Sequence, residues 1–86
     1  MLTYLERLIY MIIDSTIRTY RDKKNMTQKK LADLLDLPRT TVSFYETKRQ
    51  LPNLKTAERI AEILSTTIGK LYTPEELNVI LDKNNS

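Results

Sequence analysis

Arg39, Thr40, Ser43 and Phe44 are the residues whose types and spacing best suit chemistry with another molecule. On a helix over 39–46 they share one face, and a face of long, hydroxylated and aromatic side chains can reach base edges in a DNA major groove. Arg39 can pair with two guanine acceptors, a contact that contributes about 1–3 kcal/mol of discrimination. Ser43 can bond a base or a phosphate. Phe44 offers no hydrogen bond, so it either covers a thymine methyl or packs against helix 1 or the loop that follows it. Other chemistries find little to use. The chain has no cysteine and no histidine, its carboxylates are scattered, and Gly69 is its one glycine. Disulfides, thiolate nucleophiles, imidazole bases, Cys or His metal sites and glycine-rich phosphate loops are therefore excluded, and no enzyme activity, metal or cofactor is expected.

The reading face needs a support. In 39–46, Val42 and Tyr45 lie on the other side and can face a preceding helix over 28–35. That helix is announced by Thr27, a hydroxyl N-cap, and carries Leu31, Ala32, Leu34 and Leu35 as its apolar side. Pro38 biases Leu37 away from the right-handed helical region, while its own fixed φ suits the start of a new helix, so the chain turns at 36–38. Two short helices joined by a tight turn are the outline of a helix-turn-helix over 27–46.

The run MTQKKLADLLDLPRTTVSFYETKRQLPNLKTAERIAEILSTTIGKLY resembles the Cro/C1-type (XRE) helix-turn-helix family of phage repressors and bacterial regulators. Carrying the resemblance are Gln28, Leu31-Ala32, Val42, Glu46, Pro52 and Ile60-Ala61, with Arg18 and Arg21 upstream, and it covers roughly residues 13–71. It implies an all-α, five-helix lambda-repressor-like DNA-binding domain. It also places Arg39, Thr40 and Phe44 at positions matching the family's base contacts and implies an ion pair between Arg21 and Glu46. Thr27 and Gln28, at a helix N-terminus whose amides and dipole favour anions, are expected at phosphates. Lys48, Arg49 and Lys55 are expected there too, by resemblance and by charge. The family usually has glycine where this chain has Asp36 and Lys48. Asp tolerates a left-handed backbone fairly well, whereas Lys costs about 1 kcal/mol or more if φ is positive there.

Eighty-six residues with a formal charge of +3 suggest one small domain. Between Arg21 and Arg59 ten basic residues stand against five acidic ones, while the ends are net acidic. A basic middle that coincides with the motif is the footprint of a phosphate-binding face, although a basic solvated surface would read the same on charge alone.

Around the motif, a first helix over 15–24 should turn Ile17 and Tyr20 inward. A fourth over 54–64, capped by Asn53, should bury Leu54, Ala57, Ile60, Ala61 and Leu64, and a fifth over 68–72 should start at Thr67. TPEE at 73–76 combines a hydroxyl cap, a first-turn proline and a capping-box glutamate. It opens a sixth helix over 74–82 with Leu77, Ile80 and Leu81, ahead of a frayed tail.

Residues 1–13 form an apolar extension, too short to span a bilayer and without a cleavage site. A helix is favoured over a strand, with Leu2, Leu5, Ile9 and Ile12 on one stripe and Tyr4, Leu8 and Met11 on the next. So wide an apolar face needs a cover, either from this chain or from a second copy or partner. The dimer or partner surface is accordingly expected at Leu2, Leu5, Leu8, Ile9, Ile12, Leu77, Ile80 and Leu81.

These residues imply a cytoplasmic transcriptional regulator of double-stranded DNA, most simply a dimeric repressor, with no membrane and no small-molecule substrate. The competing class is an antitoxin or protein-interaction module that uses the apolar N-terminal segment to hold a protein partner.

Overall fold

The computed structural model describes residues 3–6 and 16–85, and every regular element among them is a helix. Residues 4–6 form a short helical turn in which the Glu6 amide donates to the Thr3 hydroxyl at 3.1 Å. Six helices follow: α1 (Thr16–Lys23), α2 (Gln28–Leu35), α3 (Arg39–Glu46), α4 (Leu54–Ile63), α5 (Ile68–Leu71) and α6 (Pro74–Asn85). Of the 1–13 extension, residues 4–6 are helical, as favoured; the rest of it, with Leu2, Leu8, Ile9 and Ile12, lies outside the described residues.

The core is built from one stripe per helix. Ile17 comes from α1, Leu31 and Ala32 from α2, Val42 and Tyr45 from α3, and Ala57, Ile60 and Ala61 from α4. Leu64, Leu71, Tyr72 and Ile80 close it. Fully burying a side chain such as Leu31 or Ile60 contributes about 1.5–3 kcal/mol, so these stripes decide how the helices sit. Helix α2 lies against α3 and α4, α1 against α2 and α3, and α6 against α4 and α5.

Local signals set the helix starts. The Thr27 hydroxyl accepts the Lys30 amide at 3.0 Å, and Asn53 Oδ1 accepts the Thr56 amide at 2.9 Å. At α6 the capping box closes in both directions, Thr73 N–H to Glu76 Oε1 at 2.8 Å and Glu76 N–H to the Thr73 hydroxyl at 3.2 Å. Thr67 occupies the cap position of α5 without a side-chain cap bond.

Two expectations for the C-terminal helix are corrected. It runs to Asn85 rather than fading at Asp82. Ile80 is not a partner surface, because it is 0 % exposed and belongs to the core, and Leu77 packs against that core. These two residues are covered by the core that α6 shares with this chain's own α4 and α5, whereas Leu81 stays 44 % exposed.

The ends of four helices share one device. Asn25, Asp36, Lys48 and Ser65 have φ of 53°, 57°, 61° and 57°, the left-handed region that favours glycine. In each case the next amide reaches back to the last helical turn. Met26 bonds Arg21 O at 3.0 Å, Leu37 bonds Ala32 O at 3.0 Å, Arg49 bonds Phe44 O at 3.0 Å and Thr66 bonds Ala61 O at 2.8 Å. These are Schellman closures made without glycine. Asn and Asp tolerate the conformation, but Ser and Lys do not share that tolerance. Ser65 is exposed, and among the described residues its hydroxyl makes no hydrogen bond that glycine would lose. Ser65→Gly is therefore expected to stabilise the fold by up to about 1 kcal/mol, less the entropy glycine adds to the unfolded chain. The readout is a higher denaturant midpoint at unchanged slope.

Candidate nucleic-acid interface

Helix α3 is fixed by its inner face. Val42, Tyr45 and Glu46 are buried, and the last of these is a carboxylate only 5 % exposed. Arg21 on α1 meets it with two parallel bonds, Nε to Oε2 and Nη2 to Oε1, both at 3.1 Å. A third Arg21 bond runs from Nη1 to the Met26 carbonyl at 2.9 Å. The planar guanidinium thus ties the end of α3 to α1 and to the connection before α2. Burial pushes the Tyr45 phenol above its ordinary pKa.

Held this way, α3 presents Arg39, Thr40 and Phe44 to solvent, with Ser43 half-buried beside them. Phe44 is 37 % exposed, so the side chain is not absorbed into the core. Pro38 is the N-cap, and the backbone there is extended rather than helical. The first turn of α3 therefore projects from the end of the turn, with Arg39 as its first residue.

Thr27 and Gln28 sit at the start of α2, the threonine exposed and already used as the cap, the glutamine half-buried. Arg49 is exposed in the loop after α3, and Lys55 is exposed in the first turn of α4. A shallow groove lined by Leu35, Leu37, Lys55, Thr56 and Arg59 brings Lys55 beside the turn that leads into α3. Arg59, which lies 3.8 Å from Glu62 at its Nη1, shares that groove and carries no role in the sequence reading. Lys29 is paired with Asp33 at 3.1 Å along α2.

Lys48 is a correction. Its side chain is 12 % exposed, and its ammonium donates to the Leu71 carbonyl at 3.3 Å, meets Glu76 Oε2 at 3.5 Å and lies 4.4 Å from the centre of the Tyr72 ring. With a left-handed backbone at Lys48, this cation is engaged inside the molecule, where the sequence suggested a free phosphate ligand. Burial, then Glu76 and Tyr45, push the Tyr72 phenol far up, so it is a neutral hydroxyl under Lys48.

Two residues that matter to this loop were not singled out for it by sequence. Glu76 reads there only as a capping-box residue, and Lys83, whose ammonium donates to the Leu51 carbonyl at 2.7 Å, reads as part of a frayed tail. No short-range pattern links positions so far apart in the chain. Among the described residues no group of three or more His, Cys, Asp or Glu could hold a metal, and no helix is long and apolar enough to cross a membrane.

A helix-turn-helix family model matches residues 17–71, which is most of the chain. The chain belongs to the helix-turn-helix family. Within it, this helix-turn-helix protein is of the Cro/C1 type, and its relatives are transcriptional regulators rather than enzymes. It is 32 % identical over 75 residues to the HTH-type transcriptional activator BcrR of Enterococcus faecalis, covering 87 % of this chain and 37 % of that protein. Against the control protein C.SmaI of Serratia marcescens it is 33 % identical over 66 residues, 77 % of this chain and 79 % of that one. The cryptic phage CTXphi transcriptional repressor RstR of Vibrio cholerae is 28 % identical over 68 residues, 79 % of this chain and 61 % of the repressor. This helix-turn-helix chain thus spans little more than a third of the length of the Enterococcus activator. No solved structure matches it.

Proposed function

We propose that this helix-turn-helix regulator acts in the cytoplasm as a dimeric repressor that reads operator half-sites through the major groove with α3. The observation that carries the reading is the split of α3 into a locked inner face of Val42, Tyr45 and Glu46 and an outward face of Arg39, Thr40, Ser43 and Phe44. On this reading those four residues contact bases, while Thr27, Gln28, Arg49 and Lys55 meet phosphates. Contacts to phosphate fix the register and contacts to base edges carry the sequence.

One short helix covers only a few base pairs, so two copies are required, with half-sites about 34 Å apart along the duplex. With Ile80 in the core, the proposed joining surface is the apolar N-terminal segment around Leu2, Leu5, Leu8, Ile9 and Ile12, of which Leu5 is 70 % exposed. Leu81, 44 % exposed on α6, is the remaining candidate there. Repression is the simplest output, because occluding a promoter asks nothing beyond binding.

The test is equilibrium binding to random and selected duplexes at several salt concentrations, with sedimentation alongside. Wild type should select a palindromic site, and Arg39→Ala should lose about 1–3 kcal/mol of discrimination while keeping the salt-dependent background. Equal, weak binding to every duplex that is indifferent to Arg39→Ala would sink the reading.

A further inference from the structure

The loop between α3 and α4 is gripped from outside the helix-turn-helix. At one end the Lys48 ammonium is held by the Leu71 carbonyl, by Glu76 Oε2 and over the Tyr72 ring. At the other end Lys83 of α6 holds the Leu51 carbonyl at 2.7 Å. Between the two grips Arg49 and Gln50 are exposed, and both of their amides turn back to the Phe44 carbonyl, at 3.0 and 3.4 Å. The segment carrying Arg49 is therefore tied on one side to the recognition helix and on the other to the C-terminal helix.

Glu76 has two separable tasks. Oε1 accepts the Thr73 amide and caps α6, whereas Oε2 faces the Lys48 ammonium at 3.5 Å. We propose that Glu76, acting through Lys48, is a positioning residue for DNA binding: it holds the loop in the shape that sets Arg49 against a phosphate. The proposal rests on the DNA-binding reading above and on Arg49 meeting the backbone. Its physical basis is preorganisation, since a loop already ordered in its bound form loses less conformational freedom on association. The left-handed φ at Lys48 makes the need specific, because a lysine backbone left to itself would favour another shape.

The sign of one substitution separates positioning from plain electrostatics. Glu76 is a negative charge on a protein that meets a polyanion, so its Coulombic effect alone predicts that Glu76→Gln tightens binding. Positioning predicts the reverse. Gln retains an oxygen for the Thr73 amide, so the cap on α6 survives.

The experiment measures duplex affinity over a salt series for wild type, Glu76→Gln, Arg49→Ala and the double variant, with thermal unfolding recorded for each. Glu76→Gln is expected to weaken binding about three- to tenfold and to flatten the log–log salt slope by up to about 0.9, one phosphate's share. In the Arg49→Ala background the same change should have no effect or should tighten binding slightly. If Glu76→Gln tightens wild-type binding or leaves it unchanged while Arg49→Ala weakens it, the proposal is overturned. An equal loss in both backgrounds overturns it as well, since Glu76 would then act on the fold at large. Absence of any salt-dependent binding by wild type defeats the DNA-binding reading itself and takes the proposal with it. Should Glu76→Gln fold poorly, Lys48→Met puts the same question in the same two backgrounds.

Discussion

Glu46→Ala is expected to cost about 3–5 kcal/mol of folding stability, the usual result of stripping one partner from a buried ion pair. The domain is small, and a loss of that size approaches the whole stability such a fold commands, about 5–15 kcal/mol. The cost arises from what is left behind. Without the carboxylate, the Arg21 side chain, 11 % exposed, loses two of its three hydrogen bonds and keeps the Met26 carbonyl and, 3.6 Å from Nη1, the largely exposed carboxylate of Asp22. A buried charge left with one carbonyl and one distant, solvent-screened carboxylate in place of a bidentate partner costs more than the pair was worth. The double variant Arg21→Met, Glu46→Leu should therefore recover most of the loss, because it removes both charges and keeps apolar bulk at the junction of α1 and α3. Denaturant unfolding of the two variants decides the matter, with Asp33→Ala as control. Asp33 pairs with Lys29 at an exposed site, where such pairs contribute only about 0–1 kcal/mol. A Glu46→Ala loss no larger than the Asp33→Ala loss would mean that water reaches the guanidinium and the pair is not structural.

What could be read from sequence and what could not divides along the range of the signal. The bounds of α2 and α3 match the expectation because their causes are local: the hydroxyl of Thr27, the fixed φ of Pro38 and the apolar spacing of Leu31, Ala32, Val42 and Tyr45. The same is true of the α6 cap, where Thr73 and Glu76 are three residues apart. Lys48 defeats such reasoning. A lysine in a loop of a basic region looks like a phosphate ligand until its positive φ directs the amine toward Leu71 and Glu76, more than twenty residues onward in the chain. The stripe of Leu77, Ile80 and Leu81 was equally ambiguous, because spacing shows that a face is apolar and says nothing about what covers it. The residues proposed to read bases lie on the outer face of α3, Arg39, Thr40 and Phe44 exposed and Ser43 half-buried, because their local spacing opposes that of Val42 and Tyr45.

The burial of Ile80 beside an exposed Leu81 makes the second large prediction. Ile80→Ala is expected to destabilise the fold by about 2–5 kcal/mol, the range for truncating a fully buried aliphatic side chain, whereas Leu81→Ala should stay within about 0.5 kcal/mol. The two residues are neighbours in sequence and similar in volume, so the contrast comes entirely from their surroundings, 0 % against 44 % exposure. A dimer surface on α6 would give another pattern. Loss of Ile80 would then weaken association, and the unfolding midpoint would shift with protein concentration. A core role predicts a loss independent of concentration, so urea unfolding at two protein concentrations distinguishes them. The consequence reaches the proposed DNA-binding face, because Ile80 anchors the helix that carries Glu76 and Lys83, the two residues that grip the loop bearing Arg49. Loosening α6 should thus lower duplex affinity beyond the fraction of protein unfolded, and Arg49→Ala should abolish that excess.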